Sequence, residues 1–141
     1  RAEIIRIFLA HGADPSMRNR RKVTPLHMSS RFGLAKVAEA LLVGGADPNA
    51  TDEVRETPIY RAVNLGYADV AEILLRGGAD PNVANRKGYT PLHRAVMRGK
   101  ASIVPLLLEH GADGHAKDRE GKTPIEYVRN KEIRTALEGV E

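Results

Sequence analysis

Apolar residues return in dense blocks along this chain. Residues 35–43 read Ala-Lys-Val-Ala-Glu-Ala-Leu-Leu-Val, and residues 68–76 read Ala-Asp-Val-Ala-Glu-Ile-Leu-Leu-Arg. Lined up in steps of 33, one column holds Ile4, Val37, Val70 and Ile103, and the next Ile5, Ala38, Ala71 and Val104. Three more hold Ile7, Ala40, Ile73 and Leu106; Phe8, Leu41, Leu74 and Leu107; and Leu9, Leu42, Leu75 and Leu108. The blocks predict short helices. Five apolar positions in six exceed the single stripe of a surface helix. These helices must be covered on several sides, as happens when repeated units stack. Each block runs into Gly12, Gly45, Gly78 or Gly111, where the helix ends.

A second signal keeps the same period. Thr24-Pro25-Leu26-His27, Thr57-Pro58-Ile59-Tyr60, Thr90-Pro91-Leu92-His93 and Thr123-Pro124-Ile125-Glu126 are each 33 residues apart. Threonine is a good N-cap and proline suits the first helical position, so each pair predicts a helix start. Three of these helices stop near Gly33, Gly66 and Gly99. Gly-Ala-Asp recurs at 12–14, 45–47, 78–80 and 111–113. Two independent motifs locked to one period make internal repetition the main feature of the chain.

Thr-Pro-Leu-His, a glycine-terminated helix, a Leu-Leu-rich helix and Gly-Ala-Asp at this period resemble the ankyrin repeat, over essentially the whole chain. The resemblance implies an all-α repeat solenoid: paired antiparallel helices with projecting β-hairpin loops, the hairpin tips and first helices lining the concave side. The chain divides into a partial repeat 1–23, full repeats 24–56, 57–89 and 90–122, and a C-terminal capping repeat 123–141, all one domain of residues 1–141. The partial repeat offers only a second helix, Ala2 to Ala10, which leaves Ile4, Ile5 and Phe8 partly bare. Further repeats or a cap are therefore expected upstream in the parent chain. At the other end, Thr123 to Glu126 has capping-box spacing, and Asn130 to Glu138 predicts a short, more polar last helix.

Departures from the pattern fall in loops. The family places glycine two residues before the Thr of Thr-Pro, at the hairpin tip. Gly88 and Gly121 obey, whereas Lys22 and Arg55 do not. A non-glycine residue in a left-handed conformation costs about 1 kcal/mol, so the first two hairpins are expected to be reshaped or more mobile. Pro105 stands inside a second helix, where it removes a hydrogen bond unless that helix starts late. Gly114-His115 replaces the Pro-Asn of 48–49 and 81–82.

Composition narrows the chemistry. Apolar residues make up 42%, charged residues 28% and aromatics only 4%, so the interior rests on aliphatic side chains. There is no cysteine, which excludes disulfides and thiolate metal sites. No apolar run approaches the roughly 20 residues of a membrane span. His27 and His93 belong to the repeat motif, where the resemblance implies hydrogen bonding to the capping Thr and nearby backbone. His11 and His110 fall at helix C-termini, and His115 in a loop. No metal-ligand spacing, phosphate loop or nucleophile motif occurs. Asp14, Asp47, Asp80 and Asp113 recur once per repeat and read as loop anchors. The expectation is a protein that is not an enzyme and needs no cofactor or metal, an intracellular monomer without membrane contact.

The resemblance also implies which positions make contacts: two at each hairpin tip, the residue before Thr-Pro, and an exposed pair late in each first helix. On this chain they are Arg20, Arg21, Val23, Arg31 and Phe32; Glu53, Val54, Glu56, Asn64 and Leu65; Arg86, Lys87, Tyr89, Met97 and Arg98; and Arg119, Glu120 and Lys122. Eight are basic and three acidic, while the whole chain carries only +4, so the basic excess falls on the implied concave face. Arg61 and Arg94 extend the strip. Phe32, Leu65, Tyr89 and Met97 intersperse apolar or amphipathic groups, a mixture typical of interfaces. The expected partner is a protein segment of acidic or mixed charge. Nucleic acid is the alternative, weakened by too few aromatics for base stacking; a regulatory domain of a larger enzyme or channel is another. The resemblance further marks Asn49 and Asn82 as the loop asparagine that asparaginyl hydroxylases modify in animal members.

Overall fold

Each Thr-Pro step starts a helix for a local reason. In this computed structural model, which describes residues 1–139, Thr24, Thr57 and Thr90 hold extended backbone. Each Thr Oγ1 accepts the amide of the residue three further on, at 3.3 Å in all three cases. Proline follows with its φ already helical. The helices so begun are α2 (Pro25–Arg31), α4 (Pro58–Leu65) and α6 (Pro91–Met97). Each turns back through a short link into an outer helix: α3 (Ala35–Val43), α5 (Ala68–Arg76) and α7 (Ile103–Glu109). α1 (Ala2–Ala10) and α8 (Lys131–Glu138) complete the outer layer. Inner helices pack on inner helices and outer on outer, which makes an all-helical two-layer solenoid.

The columns read from the sequence form the seam between layers. Leu26, Ile59 and Leu92 of the inner helices are fully buried, as are Ala38, Ala71 and Val104 opposite them. Leu41, Leu74 and Leu107 fill the space between, and each would cost about 2–5 kcal/mol on truncation to alanine. Ser29 and Ser30 stand where later repeats have Ala62 and Val63. Their buried hydroxyls both donate to the Leu26 carbonyl, at 2.9 and 2.8 Å, so no polar group is stranded. α1 has no inner helix of its own and buries none of its residues, which leaves Ile4, Ile7 and Phe8 exposed.

Pro105 is accommodated by a late start. α7 begins at Ile103, two residues later than the register of α3 and α5 would place it, so Pro105 falls in the first turn, where no amide partner is required. The last Thr-Pro starts only a short turn, in a closing unit that is shortened as expected. Residues Pro124–Tyr127 make a single 3-10 turn, because Val128 is already extended (φ −69°, ψ 122°). Asn130 then caps α8, its side chain accepting the Glu132 amide at 2.7 Å. Residues 140 and 141 of the expected closing unit lie outside the described residues.

The projecting loops contain no strand among the described residues. Each is a four-residue turn starting at Asn19, Asp52, Asn85 or Asp118. The amide of the fourth residue donates to the first carbonyl, from Lys22, Arg55, Gly88 and Gly121 at 2.8–3.1 Å. The first residue's amide then reaches the fifth carbonyl, at 3.0–3.1 Å. Lys22 (φ 59°) and Arg55 (φ 63°) take the same left-handed backbone as Gly88 (φ 81°) and Gly121 (φ 79°). The first two loops are thus not reshaped, contrary to the sequence-based expectation. The side-chain oxygen of Asn19 or Asp52 holds the turn by accepting the amides of the third and fifth residues. The local hydrogen bonds outweigh the strain.

Replacing Lys22 or Arg55 by glycine should therefore raise stability by about 1 kcal/mol each, seen as a higher denaturant midpoint at unchanged slope. Gly88→Ala should lower it by more than that, since a Cβ there would lie 2.7 Å from the Arg119 backbone nitrogen.

Candidate functional site

The loops stand in a row because backbone and side chains bridge the repeats. Glu53, Arg86 and Arg119 donate their amides to the carbonyls of Arg21, Val54 and Lys87 in the preceding loop, at 3.1, 3.0 and 3.3 Å. Beneath this ribbon lie His27 and His93, both fully buried. Each Nδ1 accepts the backbone N–H of its own capping threonine, at 3.2 and 3.3 Å. The opposite nitrogen, Nε2, must then carry the proton, and it donates to Glu56 O (3.0 Å) and Lys122 O (3.1 Å) in the next loop. Burial holds the His27 imidazole below its ordinary pKa and keeps it in this neutral form. Tyr60 occupies the equivalent place in the middle repeat. Its hydroxyl accepts from the Asn85 side chain at 3.1 Å, and burial pushes its pKa up to about 12.

The edge of the stack opposite the ribbon is bridged independently. Asn49 accepts the Asp80 amide (2.7 Å) and donates to Gly78 O (3.1 Å); Asn82 does the same with Asp113 (2.7 Å) and Gly111 (2.9 Å). Asp14, Asp47, Asp80 and Asp113 each accept the amide two residues on, at 2.8–2.9 Å, within their own turns. His11 and His110 donate to the carbonyls of Ile7 and Leu106. All these polar groups are engaged in holding the backbone.

A further pairing links loop and helix. Where the first loop residue is aspartate, the residue nine positions on is a donor that reaches its second oxygen. Arg61 Nη2 lies 2.5 Å from Asp52 Oδ2, and the Tyr127 hydroxyl 2.5 Å from Asp118 Oδ2. Where it is asparagine, at Asn19 and Asn85, Met28 and Arg94 nine residues on make no such bond. Burial pushes the Asp118 carboxyl up, but bonds from Tyr127 and the Lys122 and Glu120 amides outweigh it and hold it below the usual range. That bond to Asp118, followed by burial, raises Tyr127 well above an ordinary phenol. The Asp52 side chain is 1% exposed and that of Arg61 19%. Arg61 Nε is the one buried side-chain nitrogen or oxygen without a partner among the described residues.

Above this scaffold lie the residues singled out from the sequence. Arg20, Arg21, Arg31, Phe32, Glu53, Val54, Leu65, Arg86, Lys87, Arg98, Arg119, Glu120 and Lys122 are exposed. Val23, Glu56, Asn64, Tyr89 and Met97 are half-buried. Arg21, Val23, Arg31, Glu53 and Val54 come together around a cleft of about 380 Å³ floored by Met28, Asp52 and Arg61. Arg31, Glu56, Asn64 and Leu65 line an adjoining recess of about 240 Å³. Met97 faces a separate recess of about 220 Å³ made with Tyr127, Val128 and Arg129. Burial, then the neighbouring Asp52 carboxylate, raises the pKa of Glu56.

Charge on this face is unevenly compensated. Arg21 pairs loosely with Glu53 (3.9 Å), and Lys122 pairs with Glu120 (2.7 Å). Lys122 also lies over the Tyr127 ring, and Arg31 over Phe32, each 5.7 Å from the centroid. Among the described residues, Arg20, Arg31, Arg86, Lys87, Arg98 and Arg119 have no ion pair. Sequence reasoning missed Met28, Asp52 and Tyr127 as parts of the site, although the nine-residue spacing from loop to helix was visible.

The family model described as Ankyrin repeats (3 copies) matches residues 1–85, 35–118 and 59–136. No curated protein matches the chain. Among the described residues no group of His, Asp and Glu is placed to hold a metal, and no helix is long and apolar enough to cross a membrane.

The Asp52–Arg61 pair makes a sharp expectation. Arg61→Met alone should destabilise by about 3 kcal/mol, because a buried carboxylate loses its partner. Adding Asp52→Asn recreates the Asn19–Met28 combination of the first repeat and should recover most of the loss. Equilibrium unfolding of both variants and of Asp52→Asn gives the coupling; additive effects would show the two residues to be independent.

Proposed function

This chain belongs to the ankyrin-repeat family, whose repeats are generally protein–protein interaction modules, and we propose that it is a non-catalytic scaffold holding an acidic or mixed-charge protein segment on its basic concave face. The observation that carries this reading is the set of cations without an ion pair among the described residues, Arg20, Arg31, Arg86, Lys87, Arg98 and Arg119, of which Arg31 lines both of two adjoining clefts. Phe32, Val54 and Leu65 are exposed between them, so desolvated apolar contacts and charge pairs are available together. Contact residues are the set given above, from Arg20 to Lys122. Glu53 and Glu56 favour a basic residue of the partner at that level. The bridged ribbon presents this surface with little to order on binding, which preserves affinity. The protein acts as a monomer inside the cell, a setting that its lack of cysteine fits.

The test is capture from lysate with the wild-type domain and with the triple variant Arg86→Glu, Lys87→Glu, Arg98→Glu, after nuclease treatment and with circular dichroism to establish folding. Retention should fall at least ten-fold in the variant for proteins that the wild type holds. Equal retention places binding elsewhere. Loss of all wild-type binding on nuclease treatment points to nucleic acid instead, with a steep salt dependence.

A further inference from the structure

Two arginines on this face are held in an unusual way. Arg94, in α6, and Arg98, just after it, both direct Nε–H to the same acceptor, Asn64 Oδ1 in α4, at 2.7 and 3.0 Å. One neutral amide oxygen thus fixes two guanidinium groups side by side. Among the described residues, neither has a carboxylate within ion-pair distance. Glu56 feels the charge of Arg94 yet makes no ion pair with it. Arg61, one repeat back at the position of Arg94, is neutralised by Asp52, whereas Asn85 stands in Asp52's place here and turns its amide to Tyr60. Arg86 and Lys87, at the tip of the loop that leads into α6, are also without an ion pair among the described residues. The result is a fixed, doubly positive site with no ion-pair partner among the described residues, balanced only through space by Glu56 near Arg94.

We propose that Arg94 and Arg98, clamped by Asn64, form a receptor for a phosphorylated side chain of the bound protein segment. The proposal deepens the protein-binding reading and rests on it for the source of the ligand. A single carboxylate brings one charge and two oxygens. A phosphate monoester carries −1.5 to −2 near neutral pH and three acceptor oxygens, which matches two cations whose terminal N–H groups make no hydrogen bond among the described residues. A phosphodiester of nucleic acid brings only one charge. Tethering both Nε atoms in advance removes much of the side-chain entropy that free arginines would lose on binding.

The site can be tested without knowing the partner, by following arginine Nε–H resonances of the domain while phenyl phosphate, acetate or dimethyl phosphate is added at constant ionic strength. Phenyl phosphate should shift Arg94 and Arg98 saturably, with a dissociation constant at least ten-fold below those for acetate and dimethyl phosphate. Its affinity should fall between pH 7.5 and 5 as the phosphate takes its second proton. Arg98→Gln should weaken it about ten-fold. Asn64→Leu, which keeps both charges but removes the clamp, should weaken it several-fold, and Arg86→Gln less than two-fold. Equal losses in Arg98→Gln and Arg86→Gln would show only diffuse attraction. Acetate binding as tightly would make the site an ordinary carboxylate subsite, and dimethyl phosphate binding as tightly would point to nucleic acid; each overturns the proposal. Such a failure leaves lysate capture by the basic face unaffected, so the two readings fall separately.

Discussion

A buried imidazole that cannot satisfy both of its nitrogens within its own helix is the constraint on which this structure depends. His27 and His93 spend Nδ1 on the capping threonine that starts their helix and Nε2 on a carbonyl of the next loop, Glu56 or Lys122. A hydrogen bond of this kind adds about 1 kcal/mol net, but stranding the buried partner costs about 1–3 kcal/mol. The asymmetry makes the stacked arrangement hard to leave. One side chain thus ties the helix start to the loop that follows, and Tyr60 meets the same need through Asn85.

The outward surface follows from that inner one. Once the loops are tied down from below, their amides and carbonyls meet in a ribbon, and the side chains between are displayed at a fixed spacing. The hydrophobic seam of Leu41, Leu74, Leu107 and the small Ala38 and Ala71 supplies most of the favourable free energy without specifying register. The polar bridges at both edges specify it. Even the buried Asp52–Arg61 pair fits this division, since such a pair adds little stability over apolar residues of similar size while penalising any arrangement that separates it.

Much of this was legible in the sequence because the repeat shows each position several times. The 33-residue period, the Thr-Pro starts and the glycine stops all reappear as helix boundaries. What could not be read is how helices and loops distant in sequence are joined. Nothing in His27 as a letter reveals that its far nitrogen reaches Glu56, 29 residues away. Lys22 and Arg55 misled because strain was counted without the Asn19 and Asp52 side chains that hold their turns. The shortened last unit was legible, but its reduction to a single 3-10 turn was not: Thr123 to Glu126 has the capping residues of a helix, yet Val128 turns extended directly after Tyr127. Asn64 was recognised as a contact position, whereas its second role, fixing Arg94 and Arg98 from a neighbouring repeat, needed coordinates.

The central claim is that imidazole bridges hold the loops as part of the folded stack. Backbone hydrogen exchange at the loop amides in the wild type and in His93→Ala tests it most directly. The account predicts that Glu53, Arg86 and Arg119 are protected in the wild type on the scale of the inner helices. In His93→Ala, exchange should accelerate most at Asp118, Arg119 and Gly121, with Asp52 and Glu53 little changed. Loop amides exchanging at unstructured rates in the wild type, or accelerating equally in the 52–56 loop of the variant, would contradict it.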